Sequence, residues 1–172
     1  MKTMERNPRI LVLGMGNEIL ADDSIGPRLI RDLKRLHPYL PVAFHCSALG
    51  GLEVLDLIRN YDHVLIIDSI KTGSGEIGDV YLFEPEAFME TQNLSNLHDI
   101  SFLTAFELGC KLGIDMPTAM RIIAIEILEN RLFTEDLTPL LELRYPEILQ
   151  EVSHFLIHDF IPAVGQKPLI SA

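Results

Sequence analysis

The sequence predicts an α/β fold, a three-layer αβα sandwich around a mostly parallel five-stranded sheet with one antiparallel edge strand. Three observations predict it. Short apolar runs alternate with helical stretches in the order β-α-β-α-β from Arg9 to Asp68. The run HVLIID, His63 to Asp68, is apolar at consecutive positions, as a parallel strand buried on both faces must be. The following Gly-rich stretch, SIKTGSGEIG, is too short to hold a crossover helix, so the next strand has to run antiparallel.

Taken in order, RILVLGM, Arg9 to Met15, is a buried strand closed by glycine. Ile25, Leu29, Leu33 and Leu36 then fall at helical spacing with Arg28, Arg31, Asp32 and Arg35 between them, and Pro38 and Pro41 stop the helix. A second strand is expected at about Val42 to Cys46, a helix from about Gly51 to Arg59, and the third strand ends at Asp68. The antiparallel strand covers Asp79 to Glu84. Pro85 to Leu97 has no period, and a loop of that length in a compact domain is more often functional or mobile than accidental. Asp99 to Gly113 follows as an amphipathic helix, Met120 to Ile127 as the fifth strand, and Leu140 to Ile157 as a last helix kinked or broken at Pro146. The whole chain, 1–172, is expected to be a single domain with its core at about 9–158 and a loose tail from 159.

With 172 residues and 48% hydrophobic content, the chain can bury one substantial core. A net charge of -11 disfavours nucleic acid and anionic membrane as partners. No apolar run is long enough for membrane insertion, no signal sequence is visible, and Cys46 and Cys110 form no CxxC pair, so a cytoplasmic protein is expected.

Ligands of open parallel sheets bind beyond the carboxyl ends of the strands, where strand order reverses. With order 2-1-3, that crevice lies between strands one and three. Asp22 and Asp23 follow strand one, Asp68 closes strand three, and His98 precedes a helix that must start at the same edge to feed a parallel fifth strand. Two carboxylates and an imidazole suit an ion such as Zn or Ni, and three ligands leave room for water or substrate. Each residue also has a bland role: Asp23 could cap the helix at Ile25, Asp68 a turn, and His98 could be an exposed loop residue. Their convergence at one edge favours the site. Glu18 and Asp22 are possible substitute ligands, while His45 and His63 belong to strands. Gly14-Met15-Gly16 starts like a dinucleotide fingerprint, but Ile19 stands where glycine is needed, and no GxSxG or HExxH motif is present.

GMGNEILADDSIG, Gly14 to Gly26, resembles the GxGNxxxxDDxxG signature of the hydrogenase maturation endopeptidases, and the resemblance continues through HVLIIDSI, His98 and LTPLLE, Leu137 to Glu142. It implies a nickel-dependent endopeptidase that removes the carboxyl-terminal peptide from the large-subunit precursor of a NiFe hydrogenase. By the same resemblance Asp23, Asp68 and His98 are the metal ligands and catalytic residues, and the nickel is carried by the substrate. A non-catalytic nickel-checkpoint module of the same fold, or a nucleotide- or flavin-binding domain, are the other readings. Where the family has a DGGT-like recognition segment this chain has CSALGGLEVL, keeping Gly50 and Gly51 as a turn that could border the substrate. IEILEN, Ile125 to Asn130, departs from the usual proline-containing loop.

Overall fold

A computed structural model describes residues 7–48, 52–84 and 106–164. Strands β1 (Ile10–Met15), β2 (Ala43–Ser47), β3 (His63–Ile70), β4 (Val80–Phe83) and β5 (Ala119–Glu126) form one sheet in the order β2-β1-β3-β5-β4. All pairings are parallel except β4 with β5. The expected α/β class and the antiparallel edge are therefore both present. The order 2-1-3 puts the reversal point between β1 and β3, paired from Ile10↔His63 to Gly14↔Ile67.

The period-2 alternation of the strands separates two cores. Val12, Leu65, Ile67, Ile123 and Ile125 face helices α1 (Ile25–Leu36) and α3 (Pro139–Phe155). Leu11, Leu13, Val64, Ile66 and Ile122 face α2 (Leu52–Ile58) and, at its margin, Phe106 of a helical stretch over 106–111. Across the first core, Arg28 of α1 reaches both carboxylate oxygens of Glu142 at 2.8 and 2.7 Å and lies 4.6 Å from the Tyr145 ring centroid. The Tyr145 hydroxyl donates to Asp32 at 2.8 Å, and its burial beside that carboxylate raises its pKa. Helix α1 can come down onto the sheet because residue 26 has no side chain. A Cβ there would stand 2.2 Å from the Met15 carbonyl oxygen and 2.7 Å from that of Ile67.

Three expectations are corrected. Strand β3 does not end at Asp68 but continues to Ile70, since Ser69 and Ile70 keep pairing with Ile125 and Glu126. Helix α3 is unbroken at Pro146, because both Pro146 and Glu142, whose carbonyl loses its donor, lie on the exposed face where water can serve instead. The core runs past 158: a π-type turn, Leu156–Phe160, and a short helix, Ile161–Val164, continue α3, with Leu156 and Phe160 buried in the first core. The Pro85 to Leu97 loop, His98 and Gly50-Gly51 lie outside the described residues.

Candidate active site at the carboxyl edge of the sheet

The loop after β1 begins at Gly16, whose φ of +134° turns the chain out of the sheet and whose N–H donates to the Ser47 carbonyl at the end of β2. A Cβ at residue 16 would fall 1.9 Å from the Asp23 carbonyl oxygen, so the loop folds back onto a position only glycine can occupy. Asn17 to Leu20 make a turn, and Ala21–Ser24 a single 3-10 turn entered through Ala21 at φ +43°, a left-handed conformation unusual for alanine. No side-chain cap closes the start of α1. Asp23 is thus not a cap. One of its oxygens, Oδ2, accepts from the Asn17 N–H at 2.8 Å, and the other, Oδ1, accepts from the Ser69 hydroxyl at 2.8 Å.

Ser69 also touches the second acid, for its N–H donates to Asp68 Oδ1 at 2.7 Å. One residue of β3 therefore joins Asp23 and Asp68, its hydroxyl on the α1 face of the sheet and its amide on the strand itself. Asp68 takes the parity of Val64 and Ile66, pointing to the α2 side, and is only 6% exposed. Each Asp23 oxygen is engaged by one donor, which leaves acceptor capacity for a cation. No cluster of three metal-ligating side chains occurs among the described residues, and His98 is not among them.

Asp22 is not a substitute ligand. It is fully buried, and its oxygens accept from the N–H groups of Leu128, Glu129 and Thr138 and from the Thr138 hydroxyl, at 2.7–3.1 Å. It clamps the loop after β5 and the start of α3 to the loop carrying Asp23. Backbone bonds reinforce the clamp: Ala21 N–H to Thr134, Asp22 N–H to Glu129 and Thr134 N–H to Ile19. Glu18, the other candidate, pairs with Arg31 on the surface.

Two contributors escaped the sequence reading. Ser69 looked like the start of a loop because Asp68 looked like the end of a strand. Glu126, 1% exposed, accepts from the Thr72 N–H and hydroxyl and from the Gly73 N–H, and so anchors the Gly-rich loop that leaves β3. Burial and that carboxylate push the Tyr81 hydroxyl's pKa up. A lone acid inside IIAIEIL was the available signal for Glu126. Partial burial and nearby Glu18 push the Cys46 thiol's pKa up.

The chain matches the family described as hydrogenase maturation protease over residues 47–167. It is 27% identical over 157 residues to the "Hydrogenase expression/formation protein HupD" of Thiocapsa roseopersicina, covering 89% of this chain and 70% of that protein. It is 35% identical over 80 residues to the "Hydrogenase 2 maturation protease" of Escherichia coli, covering 45% of this chain and 48% of that one. In structure it resembles the hydrogenase maturating endopeptidase HybD of E. coli with a TM-score of 0.70 at 24% identity, covering 84% of this chain and 89% of that one. It also resembles the maturation protease HycI of Thermococcus kodakarensis with a TM-score of 0.64 at 21% identity, covering 88% and 94%.

Proposed function

This chain belongs to the hydrogenase maturation protease family, and from that premise we propose how its residues process the large-subunit precursor of a NiFe hydrogenase. The cut releases the precursor's carboxyl-terminal peptide, in the cytoplasm. Nickel arrives already seated in the precursor and is read as part of the substrate. Asp23 and Asp68 would supply carboxylate donors and His98 an imidazole to that nickel, which would provide Lewis-acid polarisation of the scissile carbonyl or of a water.

The observation that carries this reading is Ser69 bonded to both acids. That link fixes the Asp23 carboxylate at the mouth of the β1–β3 crevice, the place where a parallel sheet receives ligands. The donor set also explains substrate choice. Two carboxylates and one imidazole without thiolate form a weak, incomplete shell, so a precursor already carrying nickel is favoured over one without it. Asp22 takes no part in the chemistry; it holds its neighbour in place.

The test is incubation of purified protein with nickel-loaded and nickel-free precursor, followed by mass measurement of the product. Loss of a carboxyl-terminal peptide from the nickel-loaded form only is expected. Binding of the loaded precursor without any mass change would instead identify a non-catalytic checkpoint. His98→Ala is expected to abolish cleavage with the thermal midpoint unchanged; persistence of cleavage would remove His98 from the site.

A further inference from the structure

The loop between β5 and α3 is held firmly and buries Ile127 and Leu137, yet leaves three other large apolar side chains in water. Leu128 is 50% exposed, Leu132 60% and Phe133 78%; Ile19, on the neighbouring loop, is 49% exposed. Each Leu or Phe left in water forgoes about 1.5–3 kcal/mol of burial. A buried carboxylate with four donors, Asp22, and a parallel bridge, Leu20↔Thr134, fix the loop's backbone in place together with those two anchors. Charged residues border the apolar ones: Glu18, Glu129, Arg131 and Glu135. An apolar centre, a polar rim and a pre-ordered backbone are the features of a protein-binding surface.

We propose that Ile19, Leu128, Leu132 and Phe133 form the docking surface for the body of the large-subunit precursor, apart from its cleaved tail. This rests on the protease reading above. The occupant follows from continuity. Asp23 N–H bonds the Leu20 carbonyl, and Ala21 N–H bonds that of Thr134, so the patch and the acid belong to one hydrogen-bonded unit. A partner whose chain reaches Asp23 therefore meets this patch beside it. Docking on this surface uses no metal, so it also accepts precursor that lacks nickel. The surface holds the client, and the acids then inspect its nickel.

The experiment compares wild type with the L132S/F133S double variant and, as a second variant that leaves this loop untouched, with Ile19→Ser. Tyr39→Ser is the control, being 96% exposed and placed just beyond the far end of α1. Titration with nickel-free precursor reads docking without cleavage, and steady-state kinetics on nickel-loaded precursor reads KM and kcat separately. The double variant is expected to raise Kd and KM at least about tenfold, equivalent to about 1.4 kcal/mol, with kcat unchanged. Ile19→Ser is expected to shift both the same way, and Tyr39→Ser neither. Wild type that cleaves while both patch variants keep KM within twofold overturns the docking surface alone, as does wild type that cleaves yet shows no binding of nickel-free precursor. A change in sedimentation of the free double variant with KM unchanged would assign the patch to a second copy of the chain and overturn the proposal. Wild type that neither binds nor cleaves either precursor removes the protease reading as well.

Discussion

Asp22 and Asp23 are adjacent in sequence and opposite in duty. Asp22→Ala would leave three backbone N–H groups and the Thr138 hydroxyl without their acceptor in a buried site, and the expected loss of stability is about 3 kcal/mol or more. Asp23→Asn keeps an acceptor of nearly the same shape, so stability should change by less than about 1 kcal/mol while cleavage disappears. Urea denaturation with a cleavage assay separates the two roles, and a mild loss for Asp22→Ala would refute the clamp. His63 offers a test by pH. Burial lowers its pKa against a weaker opposing pull from Asp62, and its Nδ1 is buried without a hydrogen-bond partner. The unfolded chain then binds a proton more readily than the folded one. Stability from this group is complete above the ordinary histidine value near 6.5 and falls as pH drops from there toward the lowered value. Replacing His63 with Phe is expected to flatten that slope in denaturation midpoints measured between pH 7 and 5. An unchanged slope would assign it to other groups.

At the scale of elements, the position of α1 depends on Gly26. In Gly26→Ala, the new methyl would meet two sheet carbonyls at 2.2 and 2.7 Å, so the helix must lift. A loss of about 3 kcal/mol is expected, together with weakened protection of the Asn17 amide, whose acceptor Asp23 leads into α1. Retention of wild-type amide exchange at Asn17 would show that helix and loop are not coupled. The elements themselves were largely legible. Apolar runs gave β1, β3 and β5 within two residues at each end, and the 3.6-residue spacing of Ile25, Leu29, Leu33 and Leu36 gave α1. Misplaced boundaries had local causes. The end of β3 was misplaced because Asp68 is a charged residue inside it, and charge reads as the end of a strand unless a partner is known; Glu126, the last residue of β5, was read into its strand but without its partners. Those partners, Ser69, Thr72 and Gly73, belong to neighbouring turns or strands and lie beyond the reach of periodicity.

For the whole molecule, strand order and the antiparallel edge followed from connection lengths, because a short Gly-rich link cannot cross a sheet. Topology led to Asp23 and Asp68 near the same sheet edge, whereas the division of labour between Asp22 and Asp23 was not legible, since both are acids one residue apart and only the contacts of Asp22 with residues over a hundred positions away distinguish them. The continuation of helix beyond Ile157 was missed because Pro162 suggested an end, although Leu156 and Phe160 supply apolar anchors on the packed face. Truncation after Phe155 removes both anchors and is expected to cost about 3–6 kcal/mol in chemical denaturation. A truncated protein of wild-type stability would show that these anchors contribute little.

The clamp on Asp22 also sets a time. Its Thr138 donors lie 116 residues downstream. At ribosomal rates of about 5–20 residues per second, on the order of 6–23 s pass between synthesis of the acid pair and synthesis of the residue that completes its support. During that interval the loop bearing Asp23 lacks its clamp, so the acid proposed for the site gains its full support only after all five strands have been synthesised.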